Sequence, residues 1–278
     1  MRLYVAELGN NTVGIIDLRT NRVIRTVAGF KEPQGIGYEP TTDTVYVANG
    51  GDGSVRLFSG ADFAPLGAIA LGGDADNVRI DAVAHRVYVG YGDGGLAVID
   101  PATRKRVADI ALKGHPESFR LDTASPNIFV NVPDAKQIAV VSRETQRQIA
   151  SWDTGDLRAN YPLAIDSEKT RVVSVFRHPA RLQTYEARTG RAAAASEVCG
   201  DSDDVFVDAR RHRIYVICGD GNVDVLDNSA DDLRRLARIR TSSGSRTGLF
   251  IPELDRLAVA IRSIGSDGAA LWLLKPAP

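Results

Sequence analysis

TVYVAN at residues 44–49 is the clearest copy of a strand that recurs along the chain: RLYVAE at 2–7, RVYVGY at 86–91, NIFVNV at 127–132, RVVSVF at 171–176, RIYVIC at 213–218 and RLAVAI at 256–261. Their third residues are Tyr4, Tyr46, Tyr88, Phe129, Val173, Tyr215 and Ala258, so the spacing runs 42, 42, 41, 44, 42 and 43. A fixed period in this range marks a propeller or a solenoid, in which each repeat is one supersecondary unit. Around the third copy the chain reads NVRID, HRVYVGY, LAVID and KRVADIAL. Each piece has the length and β-branched content of a short strand, and four strands per repeat make a propeller blade. No stretch of about 10 to 15 residues carries an apolar period of 3.6, so helices are not expected. SADDLRRLAR at 229–238 comes nearest to one and is read as holding an outer strand.

The expected fold is therefore all-β, a seven-bladed β-propeller of four-stranded antiparallel blades, built by residues 1–278 as a single domain. With strands lettered A to D from the axis outward, the chain starts at a B strand and ends after a C strand, LWLLKP at 271–276. Each terminal blade is thus one strand short, which points to an upstream segment carrying an A strand and an export leader. The 34 basic residues balance 35 acidic ones, leaving a formal charge of -1. No global field draws such a protein toward nucleic acid or anionic lipid. No apolar run approaches the ~18 to 20 residues of a membrane span, and the opening MRLYVAELG reads as a strand. A monomer without nucleic-acid partners is expected.

Recurrent aspartates sort into turns. Asp81, Asp122, Asp166 and Asp208 follow A strands, and Asp17, Asp100 and Asp227 end C strands. At such places a carboxylate accepts backbone N–H groups. The Gly/Asp pairs in GGDGS, GYGDGG and CGDGN are expected to supply the positive φ of two-residue hairpins. The connectors from strand D to the next A differ, because their polar residues change type from blade to blade. They bring Glu32, Gln34, Asp76, Asn77, His115, Glu117, Asn160, Tyr161, Asp203, Asp204 and Arg246 to one mouth of the channel, with Arg177 from the FRHPARL hairpin on the same face. Loops on a rigid scaffold are where binding groups concentrate.

Two chemistries suit that set. Asn77, Glu117, Asn160, Asp203 and Asp204 offer the oxygen ligands that a hard divalent cation such as Ca²⁺ takes. Alternatively, Arg158, Arg177, Arg181 and Arg246 clamp an anion by bidentate hydrogen bonds. His115 and Glu117 are the candidate acid/base pair, whereas His85 and His212 fall in equivalent turns of the far face. No HExxH, nucleophile triad, phosphate loop, haem or copper motif is present. Cys199 precedes an A strand and Cys218 ends the B strand of the same blade. That hairpin brings them within disulfide reach, which implies an oxidising compartment.

YVAN followed by a Gly/Asp turn and a strand ending in Asp resembles the YVTN-repeat β-propellers of bacteria, and the likeness runs over essentially the whole chain. GHPESF, RANYPLAID, HPARL and CGDSDDVFVD resemble an exported subgroup of that family. The resemblance implies the propeller and a periplasmic or secreted location, with a cytoplasmic one as the alternative. A fold of this kind does not fix chemistry. The functional expectation is a binding or scaffold protein that holds a small molecule, an ion or a protein partner at the channel mouth. The alternative is a metal-assisted lactonase, hydrolase or lyase using an axial divalent cation.

Overall fold

The computed structural model describes every residue except 264, 266, 267 and 278. Seven antiparallel sheets follow one another along the chain. The first is β1 (Arg2–Glu7), β2 (Thr12–Asp17) and β3 (Arg22–Ala28). The second is β4 (Pro33–Glu39), β5 (Thr44–Asn49), β6 (Ser54–Ser59) and β7 (Pro65–Ala70), and the third is β8 (Ala75–Asp81), β9 (Arg86–Tyr91), β10 (Gly95–Asp100) and β11 (Lys105–Ala111). The fourth is β12 (Phe119–Leu121), β13 (Asn127–Val132), β14 (Gln137–Ser142) and β15 (Arg147–Asp153). The fifth is β16 (Arg158–Asp166), β17 (Arg171–His178), β18 (Ala180–Glu186) and β19 (Ala192–Glu197). The sixth is β20 (Ser202–Asp208), β21 (Arg213–Cys218), β22 (Asn222–Asp227) and β23 (Arg235–Arg240). The seventh is β24 (Gly248–Ile251), β25 (Arg256–Ile261) and β26 (Ala270–Leu274).

This is a seven-bladed β-propeller whose first and last blades have three strands. Among the described residues, helix is confined to four 3₁₀ turns, and no helix is long and apolar enough to cross a membrane. SADDLRRLAR enters the outer strand β23, as its sequence suggested. The chain divides into two compact units, Met1–Glu117 with Val141–Ala150, and Ser118–Val140 with Ser151–Pro278.

Burial explains the sequence pattern. Strand β5 (TVYVAN) is buried at every residue, because a second strand in a blade is covered on both faces and so reads as a continuous apolar run. The outer strands β3 and β23 are almost wholly exposed and carry arginine. In the first unit, Tyr46, Val55, Leu57, Val78, Val87, Val89 and Ile99 form one core cluster, and Val13, Ile15, Phe30, Val45, Phe58 and Phe63 another. In the second unit the clusters centre on Phe129, Trp152, Leu163 and Phe176, on Val173, Leu182, Val205 and Val216, and on Tyr215, Val223, Phe250 and Val259. Burying each such side chain stabilises the fold by roughly 1.5–3 kcal/mol.

The turn aspartates behave as their positions require. Asp81 Oδ1 accepts the N–H groups of Val83 and Ala84 at 3.1 and 2.9 Å. Asp122 accepts that of Ala124, Asp166 that of Lys169, and Asp208 that of Arg211. Glu39 holds the corresponding place in the second sheet, accepting from Thr41 and Thr42 at 3.0 and 2.8 Å. All five carboxylates are buried, and several also tie in a side chain: Arg143 to Asp81 at 2.6 Å, Asn228 to Asp166 at 2.7 Å, and Tyr215 to Asp208 at 2.7 Å. Asp17, Asp100 and Asp227 accept from Arg19, Ala102 and Ser229.

The Gly/Asp hairpins correct one expectation. Asn49 pairs with Ser54, Tyr91 with Gly95, and Cys218 with Asn222, so these loops hold three or four residues rather than two. Positive φ is still used, at Gly53, Gly92, Gly94 and Gly221.

Asp208→Ala removes the partner of the buried Tyr215 hydroxyl and one of the two carboxylates that hold the Arg211 guanidinium, the other being Asp255. It is expected to cost about 2–4 kcal/mol in urea unfolding, against less than about 1 kcal/mol for the more exposed Asp227→Ala. The pH dependence has a definite sign. At Glu39 and Asp81 burial is the largest influence and acts upward, but the hydrogen bonds outweigh it and hold both carboxyls below the ordinary range. Their stabilisation is complete above the unfolded carboxylate pKa, ~4, and is lost as pH falls below it. Unfolding midpoints measured from pH 6 downward should therefore fall, and Asp81→Asn should flatten the acid limb.

Candidate functional site

Pairing in four sheets breaks at the start of the inner strand: between Pro33 and Ile36, Ala75 and Val78, Asn160 and Leu163, and Ser202 and Asp204. Such β-bulges re-aim side chains away from the regular alternation. The residues they release are Gln34 and Gly35, Asp76 and Asn77, Tyr161 and Pro162, and Asp203, so five of the predicted site residues are bulge residues. Entry to three bulges passes through the left-handed region at a non-glycine residue, Glu32 (φ 51), Ala159 (φ 56) and Asp201 (φ 57). Gly35 is required by close approach, since a Cβ there would lie 2.1 Å from the Asp76 carbonyl oxygen.

In the first unit these residues engage one another. Gln34 donates to Asp74 at 3.2 Å, and Asn77 donates to the Glu117 carbonyl at 3.0 Å while accepting from Arg79 at 2.8 Å. Asn77 also donates to Asp76 at 3.2 Å. The Glu32 backbone N–H is held by Asn11 Oδ1 at 2.7 Å. A shallow recess of about 400 Å³ is lined by Leu71, Gly72, Gly73, Asp74, Tyr91, Gly92, Asp93 and His115. The partner of His115 is the Gly92 carbonyl, 2.7 Å from Nδ1, and not Glu117. A carbonyl only accepts, so Nδ1 carries the hydrogen and Nε2 is the acceptor of the neutral ring.

The second unit gathers the strongest charge cluster. Arg177 reaches Asp203 at 2.6 Å, Asp201 at 3.1 Å and the Ser202 carbonyl at 3.0 Å. Arg246 reaches the same two carboxylates, Asp201 at 2.9 Å and Asp203 at 3.3 Å. The Arg177 guanidinium lies 4.0 Å from the centroid of the Tyr161 ring, a cation–π contact. Burial is the largest influence on Asp203 and pushes its carboxyl up against the pull of both arginines. A third of its side chain is nevertheless accessible to solvent. Asp204 accepts the Gly248 N–H at 2.8 Å.

Two groups in this region escaped the sequence reading. Arg120 contacts Ser118 Oγ at 3.3 Å and the Phe119 carbonyl at 3.1 Å. Burial pulls its pKa down, with the charge of Asp204 acting in the opposite sense. Its signal was a lone arginine inside the apolar inner strand FRL. Asn131 is a buried hub. It donates to the Tyr161 and Pro162 carbonyls at 3.2 and 3.0 Å and accepts from Asn160 at 3.0 Å and Ser174 at 3.2 Å. Asn160 is fully buried and donates also to the Gln137 carbonyl, while its Oδ1 has no partner among the described residues. Of the other arginines of the anion reading, Arg158 donates to the Leu157 and Gly155 carbonyls, and Arg181 lies in the strand after the His178–Pro179 turn.

A disulfide joins Cys199 and Cys218, with Cα atoms 5.8 Å apart. Hydrogen bonds flank it: the Gly219 N–H donates to the Asp201 carbonyl at 2.8 Å and the Gly200 N–H to Asp220 at 2.8 Å. The connector bearing Asp201, Asp203 and Asp204 is therefore fastened to the neighbouring hairpin turn by a covalent bond and a short ladder. Asp220 lies beside the two sulfurs, but a disulfide offers no thiolate to a metal.

No protein-family model matches the chain, and no curated protein matches it in sequence. Many solved structures match it in shape. One is a chain in the crystal structure of a mitotic checkpoint complex, with a TM-score of 0.84 at 12% identity, covering 99% of this chain and 84% of that one. Another is in the hydrazine synthase of Kuenenia stuttgartiensis, with a TM-score of 0.84 at 15% identity, covering 98% of this chain and 92% of that one. At these identities the likeness is one of fold alone.

Titration of the denatured, unreduced protein should find no free thiols. The Cys199→Ser/Cys218→Ser double variant opens a loop of 19 residues in sequence separation, and should lose about 2–4 kcal/mol in urea unfolding. An equal unfolding midpoint for both proteins would show that the cross-link contributes nothing to the fold.

Proposed function

We propose that this propeller is an extracytoplasmic binding and scaffold protein, and that its bulged connectors hold a small, charged or polar ligand. The observation that carries this reading is the cluster of Arg177, Arg246, Asp201 and Asp203, set on Tyr161 and fastened by the Cys199–Cys218 disulfide. Pre-positioned guanidinium forks recognise carboxylate and phosphate groups bidentately. The disulfide supports an oxidising compartment. An anionic ligand would take a guanidinium from Asp203, the carboxylate whose burial already favours its neutral form. Binding would then be coupled to proton uptake and would tighten as pH falls.

A divalent cation is the second reading, held within one unit by the predicted oxygen ligands, Asn77 and Glu117 in the first or Asn160, Asp203 and Asp204 in the second, with a lactonase, hydrolase or lyase reaction as its consequence. The observation favouring it is Asn160 Oδ1, a buried acceptor without a partner among the described residues. Against it, both Asp203 oxygens already face guanidinium groups, which a cation would have to displace.

A thermal-shift screen of small carboxylates, phosphates and zwitterions, run beside Ca²⁺, Mg²⁺, Mn²⁺ and Zn²⁺ and joined to elemental analysis, separates the two. A ligand that binds only the native state must raise its stability. An organic anion that stabilises the protein, loses at least about tenfold in affinity in Arg177→Ala and binds more tightly at pH 5 than at pH 8 supports the first reading. A bound metal that Asp204→Ala releases supports the second. If neither class shifts the melting temperature, the connector face is not a small-ligand site.

A further inference from the structure

Strand β12 (FRL) places a cation on the inner strand of the fourth sheet. Two residues before the acid that closes its turn stands Arg120, where the fifth and sixth sheets have Ala164 and Phe206. Alternation along the strand buries Phe119 completely and turns Arg120 to the other face, beside Ser118. Arg120 spends one nitrogen on its surroundings: Nη1 donates to the Phe119 carbonyl at 3.1 Å and to Ser118 Oγ at 3.3 Å. Nε and Nη2 donate to no described residue, and no described carboxylate forms an ion pair with the group. Its counterpart in the first unit, Arg79, instead commits both terminal nitrogens, to the Val78 carbonyl and to Asn77 Oδ1 at 2.8 Å each. The fourth sheet has all four of its strands, so no further strand of that sheet is wanting beside Arg120.

The edge left open is the one that carries Nε–H and Nη2–H, two parallel donors with which a guanidinium grips a carboxylate side-on. Arg120 is half-buried, and burial is the largest influence on its charge, with Asp204 acting in the opposite sense without touching it. A partly desolvated cation without an ion pair is costly, and a bound anion relieves that cost. The connector cluster is the reverse case, since Arg177 and Arg246 each already face two carboxylates. We propose that Arg120 is an anion-binding group independent of the connector cluster, and that its open edge takes the carboxylate of a small monoanionic acid. The two parallel donors match the two oxygens of a carboxylate, which a spherical halide satisfies less well. The charge of Asp204, felt at Arg120, would repel a second negative charge on the ligand, which disfavours sulfate and other dianions. The half-burial of Arg120 keeps the ligand small.

The test follows the Arg120 Nε–H resonance of the isotope-labelled, intact protein at neutral pH as sodium acetate is added, with sodium chloride and sodium sulfate as probes at matched ionic strength. Acetate should shift that resonance saturably, with a Kd of about 1–10 mM, and the other two salts should bind at least about tenfold more weakly. Arg120→Lys keeps the charge but loses the paired donors, and should bind acetate at least about tenfold more weakly by calorimetry. Arg177→Ala removes the connector site and should leave the Arg120 titration unchanged, so the two sites stand or fall separately. An Arg120 resonance that does not saturate by about 50 mM acetate, or one that responds equally to acetate and chloride, would overturn the proposal. So would acetate binding that Arg177→Ala abolishes. If Arg120→Lys fails to fold, the titration of the unaltered protein decides alone.

Discussion

The buried carboxylate that ends the inner strand sets the frame for the connectors within each unit. Glu39, Asp81, Asp122, Asp166 and Asp208 each close the turn into the second strand by accepting backbone N–H groups. A group so desolvated is costly unless its hydrogen bonds are made, which fixes that end of the strand within its sheet. Counting back from the acid then assigns roles. Six residues earlier lie the buried Pro33, Ala75, Pro116, Asn160 and Ser202, and five earlier lie Gln34, Asp76, Glu117, Tyr161 and Asp203. The first set is buried, whereas the second is only partly so.

The buried set changes character between the units. Pro33, Ala75 and Pro116 belong to the first unit and ask nothing of their surroundings. Asn160 and Ser202 belong to the second, and each brings a polar group to a fully buried place. Asn160 answers that need through Asn131, which also holds the Tyr161 and Pro162 carbonyls of the adjoining bulge. The polar core of the second unit thus supports the backbone that presents Tyr161. An unpartnered buried polar group costs roughly 1–3 kcal/mol, and Asn160 Oδ1 and Ser202 Oγ are two such groups among the described residues.

Much of this was legible in the sequence, because repetition makes one strand's environment readable from the others. The seven-sheet count, the three-stranded ends, the turn role of Asp81 and Asp208, and the Cys199–Cys218 pairing all follow from position within the repeat. Glu39 escaped because its extra methylene hid the equivalence with the aspartates. The hairpin lengths at Gly50–Gly53 and Gly219–Gly221 also escaped, since positive φ is common to two-, three- and four-residue loops. The pairing of Arg177 and Arg246 with Asp201 and Asp203 depends on side-chain reach between two connectors and a hairpin, which no spacing encodes. Asn131 gave no signal, lying in the apolar run NIFVNV, where an amide looks like a strand residue.

The saturation of that charge cluster bears on what it can bind. Two guanidinium groups and two carboxylates already compensate one another, so an incoming ion gains only what exceeds the contacts it displaces. Side-chain entropy already lost in the folded protein lowers that threshold, because the arginines are held in place before a ligand arrives. Asp203 would lower it further: its burial opposes its charge, so giving up one of its two guanidinium partners would favour uptake of a proton. A cation finds the reverse situation, since displacing Arg177 and Arg246 leaves two guanidinium groups facing it. Under the proposed anion reading, the ligand would therefore take the place of Asp203, the bulge residue of the sixth sheet whose burial opposes its charge.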